Sequence, residues 1–219
     1  MKFQITALRS TSDRVTFERN RKERETESLK SELALLRSQV SPHFMFNVLN
    51  NLVSLARKKS DQLEPVIIQL SHLMRYMLYD SGEKRVSLKD EIDYLQSYID
   101  LQKLRFGNDV PVAFDKNINS STLPIEPMLL IPFVENAFKH GVGIIRSPQI
   151  IIHLSVENNI LLFTVKNKFT ETVETKDANS GIGIQNVRRR LDLLYKNMHW
   201  LTIHGADGWF VVELKLILK

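Results

Sequence analysis

Apolar and polar positions change period three times along this chain. Residues 11–40 are polar, densely charged and free of glycine and proline. Within them Leu29, Leu33, Leu36 and Val40 step by 4, 3 and 4, an a/d seam of the kind that pairs two helices in a coiled coil. A single solvated helix lying on another element is the other reading that this short seam allows. The helical pattern continues past Ser41-Pro42 to about Lys58, with Ser41 as cap and Pro42 in the first turn, where its missing N–H is tolerated. A second helix is predicted over Asp61–Tyr79, where Leu63, Val66, Ile67, Leu70, Leu73, Met74, Met77 and Leu78 form one stripe of 3.6-residue period. The short connection makes the pair an antiparallel hairpin. Two helices cannot hide that much apolar surface from water alone, so a dimer forming a four-helix bundle is expected.

Ser81-Gly82 breaks the pattern, and Ser87-Leu-Lys-Asp90 opens a third helix that runs to about Arg105, a capping box with Asp in place of Glu. From Phe106 the texture becomes mixed. Strands are predicted over Val110–Asp115, Gln149–Val156 and Ile160–Lys166, the last two around the turn Glu157-Asn-Asn159. Helices are predicted over Glu126–Gly141 and Ile184–Asn197. Trp200–His204 and Trp209–Leu218 read as a hairpin across Gly205-Ala-Asp-Gly208. Residues 168–180 form a polar stretch long enough to require a functional reason. The class is therefore α+β. An N-terminal coiled coil (1–40) and a dimeric hairpin (41–85) precede a two-layer α/β sandwich (86–219).

Composition narrows the chemistry. The 219 residues are 43% hydrophobic and 25% charged, which excludes wholesale disorder. There is no cysteine, so a disulfide scaffold, a thiolate metal site and a Cys nucleophile are all excluded. The six histidines are scattered, which gives no zinc signature. No run reaches the roughly 18 apolar residues of a membrane helix. The net charge of +5 is mild, and residues 1–40 set nine basic against six acidic side chains without interleaved aromatics. A direct nucleic-acid partner is not expected.

Three clusters carry candidate chemistry. Gln39, His43, Asn47 and Asn50 or Asn51 form a polar ridge on the first helix. A neutral imidazole at pH 7 there has a lone pair free to attack phosphorus. Spacing alone also allows a plain interfacial histidine paired with an amide. Glu135, Asn136, Lys139 and His140 fall within about one and a half turns of a helix. The Asn136 oxygen suits Mg²⁺, Lys139 or His140 suits phosphate, and Glu135 suits a base or a water-orienting role. An ordinary mixed-charge helix end has the same spacing. Gly181-Ile-Gly183-Ile-Gln-Asn186 opens a helix after the polar stretch, where glycines permit close backbone approach to a phosphate. No P-loop and no strand-borne G-x-G-x-x-G is present. Arg188, Arg189 and Arg190 read as solvated helix residues, one of which could reach a phosphate. Trp200 and Trp209 read as packing residues.

The segments Q-V-S-P-H-F-M-F-N-V-L-N (39–50), L-I-P-F-V-E-N-A-F-K-H-G (130–141) and G-I-G-I-Q-N-V-R-R-R-L (181–191) together resemble the LytS-type sensor histidine kinases, over roughly residues 29–219. The resemblance implies that His43 is the phosphorylated histidine, flanked by Gln39, Pro42, Phe44, Asn47 and Asn50. It also implies that the region from about residue 87 is the ATP-binding fold shared by gyrase, MutL and histidine kinases. Asn136 would then hold Mg²⁺. Catalytic Glu135 would lie near ATP contacts at Lys139, His140, Gly141, Asn167, Gly181, Ile182, Gly183 and Asn186, with 168–180 as the lid. The implied partners are a second copy and the receiver domain of a response regulator. The chain would be the cytoplasmic portion of an inner-membrane sensor whose membrane or sensing segment lies elsewhere.

One position departs from the pattern. The first glycine box of this fold reads Asp-x-Gly at a strand end. Here the strand ends Val165-Lys166-Asn167-Lys168-Phe169, with Asn for Asp and no Gly. The lost charge assistance is worth about 1 kcal/mol, on the order of fivefold in affinity. Weakened or differently arranged ATP binding is expected, and a non-catalytic dimeric scaffold is the rival reading.

Overall fold

A computed structural model describes residues 42–78, 85–119, 122–143, 145–169 and 182–219, with Pro42, His43 and Ile182 as backbone only. The expected coiled coil, Gln39, the break at Ser81-Gly82, the lid from residue 170 onward and Gly181 lie outside these residues.

Helices α1 (Pro42–Arg57) and α2 (Leu63–Leu78) form the expected hairpin. Its apolar positions divide into two faces. Phe44 and Val48 of α1, with Val66, Leu70, Leu73 and Tyr76 of α2, are buried. Both helices pack on α3 (Leu88–Phe106), so the hairpin is seated on the following domain. The second face, with Phe46 at 66% and Leu78 at 68% exposure, and with Leu49, Val53, Ile67 and Ile68, is uncovered.

Helix α3 begins as its sequence requires. Ser87, extended at φ −70° and ψ 147°, accepts the Asp90 N–H at 3.2 Å as N-cap. The two-residue strands β1 (Val86–Ser87) and β3 (Pro124–Ile125) pair beside it. A five-stranded sheet follows in the order β2-β4-β5-β7-β6, built from β2 (Val112–Ile118), β4 (Ile150–Glu157), β5 (Ile160–Lys168), β6 (His199–Ala206) and β7 (Trp209–Ile217). β2 runs parallel to β4 and every other neighbour is antiparallel. Alternate residues Ile150, Ile152, Leu154 and Val156, and Leu161, Phe163 and Val165, are buried, which is the period-2 pattern of a sheet with one covered face. Helices α4 (Ile131–His140) and α5 (Ile182–Leu194) supply the covering layer. Both hairpin turns are two residues long. Asn158-Asn159 (φ 50° and 63°) and Asp207-Gly208 (φ 53° and 72°) take the left-handed conformations that such turns demand.

The α4 boundary differs from the expected 126–141. Pro127 and a left-handed Met128 (φ 55°) prevent helix before residue 131. The N–H groups of Met128 and Leu130 go instead to a carboxylate from α3, described below.

Candidate nucleotide site

Helix α4 buries Ile131, Phe133, Val134, Ala137 and Phe138 against the sheet and the other helices. Periodicity leaves Glu135, Asn136, Lys139 and His140 on the other side, as two (i, i+4) pairs. All four line one cavity of about 630 Å³, within the range of small-molecule sites. Its far wall comes from α3, through Tyr98, Gln102, Arg105 and Phe106, and from α1, through Phe44. Aromatic contacts join the walls. Phe44 lies 4.5 Å from Tyr98 between ring centroids, Tyr98 lies edge-on to Phe138 at 6.0 Å, and Phe106 stacks on Phe138 at 6.1 Å. The Gln102 amide donates to the Tyr98 hydroxyl at 2.7 Å.

The cavity is electrostatically unfinished. Among the described residues Asn136 and Lys139 have no polar partner. Burial pushes the Glu135 carboxyl up to about 7, so at neutral pH it is divided between acid and base forms. Burial, and then the charge of Glu135, hold the Tyr98 phenol well above its ordinary value, so Tyr98 stays neutral.

The predicted residues fall into groups. Glu135, Asn136, Lys139, His140 and Gly183 are together on the cavity wall, and Phe44 joins them. Among the described residues a Cβ on Gly183 would meet nothing within 4 Å, so none of them requires glycine there. Gly141 is different. A Cβ there would come 2.5 Å from the Ala137 carbonyl oxygen and 2.7 Å from the Asn167 Cβ. Glycine at 141 therefore serves the close approach of α4 to β5. Asn167 is 1% exposed beneath it, and its amide donates to the Lys168 carbonyl at 3.0 Å. Asn167, Gly141 and Asn186 lie off the cavity wall, as do Asn47 and Asn50 of α1. His43 sits on the first turn of α1, one residue before Phe44. Ile182 opens α5.

Tyr98, Gln102 and Arg105 were not among the predicted site residues. Their spacing of four and three puts them on one side of α3, and on a helix with many other polar residues that spacing was the available signal.

A second polar cluster lies at the other end of α4. Glu91 of α3 is fully buried. Its carboxylate accepts the Tyr76 hydroxyl of α2 at 2.5 Å, the Met128 N–H at 2.8 Å and the Leu130 N–H at 3.0 Å. Burial pushes Glu91 up from its ordinary value, while these hydrogen bonds and the charge of Arg190 pull it back. Arg190 corrects a sequence expectation. It is 2% exposed, not solvated, and donates to the carbonyls of Met128 at 2.8 Å and Pro127 at 2.6 Å. It also lies 3.5 Å from the Glu126 carboxylate. Tyr195 completes the cluster by accepting the Glu126 N–H at 2.9 Å.

Two family models match the chain, a histidine kinase over residues 31–110 and a GHKL domain over residues 128–217. Their order defines a helical histidine-kinase segment followed by its GHKL domain, and the α+β architecture agrees with it. The sensor protein LytS of Enterococcus faecalis is 26% identical over 195 residues, covering 84% of this chain and 32% of the relative. Two Escherichia coli proteins are 32% identical. The sensor histidine kinase YpdA covers 76% of this chain and 31% of its own length, and the sensor histidine kinase BtsS covers 85% and 33%. A histidine kinase domain from a blue-light activated kinase of Erythrobacter litoralis aligns over 88% of this chain and 96% of its own, at 18% identity and a TM-score of 0.49. This chain thus carries a histidine-kinase segment and a GHKL domain, and it is similar to the LytS-type sensor histidine kinases. It spans about a third of the length of these curated relatives. Among the described residues no helix is long and apolar enough to cross a membrane.

Proposed function

We propose that the chain is an ATP-dependent protein-histidine kinase of a two-component system. In this reading residues 41–85 carry the phosphoacceptor and residues 86–219 bind ATP, while residues 1–40 are a signalling coiled coil. One observation carries it: the cavity lined by Glu135, Asn136, Lys139 and His140 is closed on its far side by Phe44, the neighbour of His43. Acceptor and nucleotide would thus meet across a single cavity. Its volume and its unpartnered amide and ammonium groups suit a nucleoside triphosphate.

The chemistry follows from these groups. Lys139 and His140 balance phosphate charge. A ring nitrogen of His43 attacks the terminal phosphorus as ADP leaves, and the ring sheds its other proton. Glu135, with its carboxyl at about 7, is suited to take that proton up. Mg²⁺ carried by the nucleotide would rest on the Asn136 oxygen and neutralise the phosphates. The phosphoryl group then passes to an aspartate in the receiver domain of a response regulator. The uncovered face of the hairpin, with Phe46, Leu49, Val53, Ile67 and Leu78, supports pairing with a second copy as a four-helix bundle. The relatives are named sensors and this chain spans about a third of their length, which supports a role as one portion of a longer sensor; in this reading, as the family resemblance implies, it is the cytoplasmic portion of an inner-membrane sensor.

Incubation with γ-labelled ATP tests the reading. An acid-labile, base-stable phosphate is expected on the wild-type chain and none on His43→Ala; label retained by the variant overturns the assignment. One observation favours a non-catalytic scaffold of the same fold: Asn167, at the position of the first glycine box, is 1% exposed, lies off the cavity wall and gives its amide nitrogen to the Lys168 carbonyl.

A further inference from the structure

The cavity has a cation that the kinase reading leaves without a task. Arg105 reaches its wall from the last turn of α3, across from Lys139 and His140 of α4. Its guanidinium lies over the Phe106 ring at 4.6 Å. Phe106 in turn stacks on Phe138 of α4, with the rings only 11° from parallel. Among the described residues no carboxylate pairs with Arg105. A guanidinium placed over an aromatic ring, on a cavity wall and lacking a carboxylate partner among the described residues, is available to an anion that arrives from outside. Its planar fork matches two phosphate oxygens at once, which a lysine cannot reproduce.

Position decides which phosphate. Phe44, which follows His43, packs on Tyr98 of the same α3 wall, and Arg105 lies two turns further along that helix. Arg105 therefore shares with Phe44 the wall that faces α4, and a phosphate held on that wall lies on the acceptor's side of the cavity, which in a transfer to His43 is the side of the terminal one. The cations of α4 stand on the opposite wall and serve the remainder of the chain of phosphates. Resting on the kinase reading above, we propose that Arg105 contacts the terminal phosphate of the bound nucleoside triphosphate, making the site prefer tri- over diphosphate and aiming the transferred group at the hairpin.

Calorimetric titration of the whole chain with Mg-ADP and with a non-hydrolysable Mg-ATP analogue tests this, using wild type, Arg105→Gln and Arg105→Lys. Arg105 is exposed, so both variants are expected to fold, and circular dichroism checks that they do. The expected result is that Arg105→Gln weakens the triphosphate analogue about tenfold and leaves ADP unchanged. Arg105→Lys should recover part of the difference, and the rate of His43 labelling should follow the triphosphate affinity. Equal loss for both nucleotides, or loss for neither, overturns the assignment of Arg105 while leaving nucleotide binding intact. A wild-type chain that binds neither nucleotide overturns the kinase reading itself, and the role of Arg105 falls with it.

Discussion

The two ends of α4 carry polar clusters of opposite character. At its start, Glu91 is sealed from water and its two oxygens take three hydrogen bonds, with the Arg190 guanidinium close by. At its end, Asn136, Lys139 and Arg105 face a cavity, and none of them has an acidic or carbonyl partner among the described residues. Both clusters join the same three layers, namely the hairpin, α3 and the sheet domain. The difference is whether the protein satisfies its own polar groups. A buried carboxylate with its acceptors filled fixes how α2, α3 and the turn before α4 sit together. The cations and amide at the other end are open to solvent, and a ligand entering the cavity can take the place of that water.

Deleting the centre of each cluster should separate stability from function. Glu91→Ala removes the acceptor of the Tyr76 hydroxyl and of two buried N–H groups. Urea unfolding should show a loss of about 3 kcal/mol. Asn136→Ala should change stability by less than about 0.5 kcal/mol and abolish measurable nucleotide binding. Equal destabilisation by the two variants would show that the clusters do not differ as described.

The two glycines give a smaller version of the same contrast. Gly141→Ala forces a methyl group against backbone and the Asn167 side chain, and should cost about 2 kcal/mol in the same unfolding assay. Gly183→Ala places its methyl group against none of the described residues, so stability should hold while nucleotide affinity falls. If Gly183→Ala lowers stability and spares affinity, Gly183 does not face a ligand.

How these clusters were legible differs as well. Ser87 as cap, the period-2 burial of β4 and β5, and the Glu135–His140 face of α4 follow from local pattern, and each appears where the residues predict. The start of α4 does not, because Glu91 stands 37 residues before the Met128 N–H that it accepts and no local period reports such a bond. Arg190 was readable in principle. It falls three residues after buried Val187 and beside buried Leu191, on the inner face of α5, but a run of three arginines reads first as surface. Arg105 was obscured in the opposite way, since a basic residue in a last helical turn has an ordinary reason to be there. The acceptor side of His43 rests on motif alone, because an imidazole on a polar ridge has more than one use.

The smallest effect concerns protons. The Glu135 carboxyl sits at about 7 in the folded chain and near 4.5 when unfolded. Between those values the folded state holds more protons than the unfolded one, so stability falls as pH rises through the window and levels off above it. The full shift corresponds to about 3 kcal/mol, and the partial exposure of Glu135 to solvent reduces this to about 1–2 kcal/mol. Glu135→Gln cannot titrate, so its unfolding free energy should gain on wild type by that amount between about pH 4.5 and 8. Glu91, buried and raised in the same direction, contributes equally to both proteins and cancels in the difference. Parallel curves for the two proteins would mean that Glu135 keeps an ordinary carboxylate value and stands ready as an anion only. In that case it could still orient the acceptor, but it would be too weak a base near neutrality to take the proton that a phosphorylated imidazole releases.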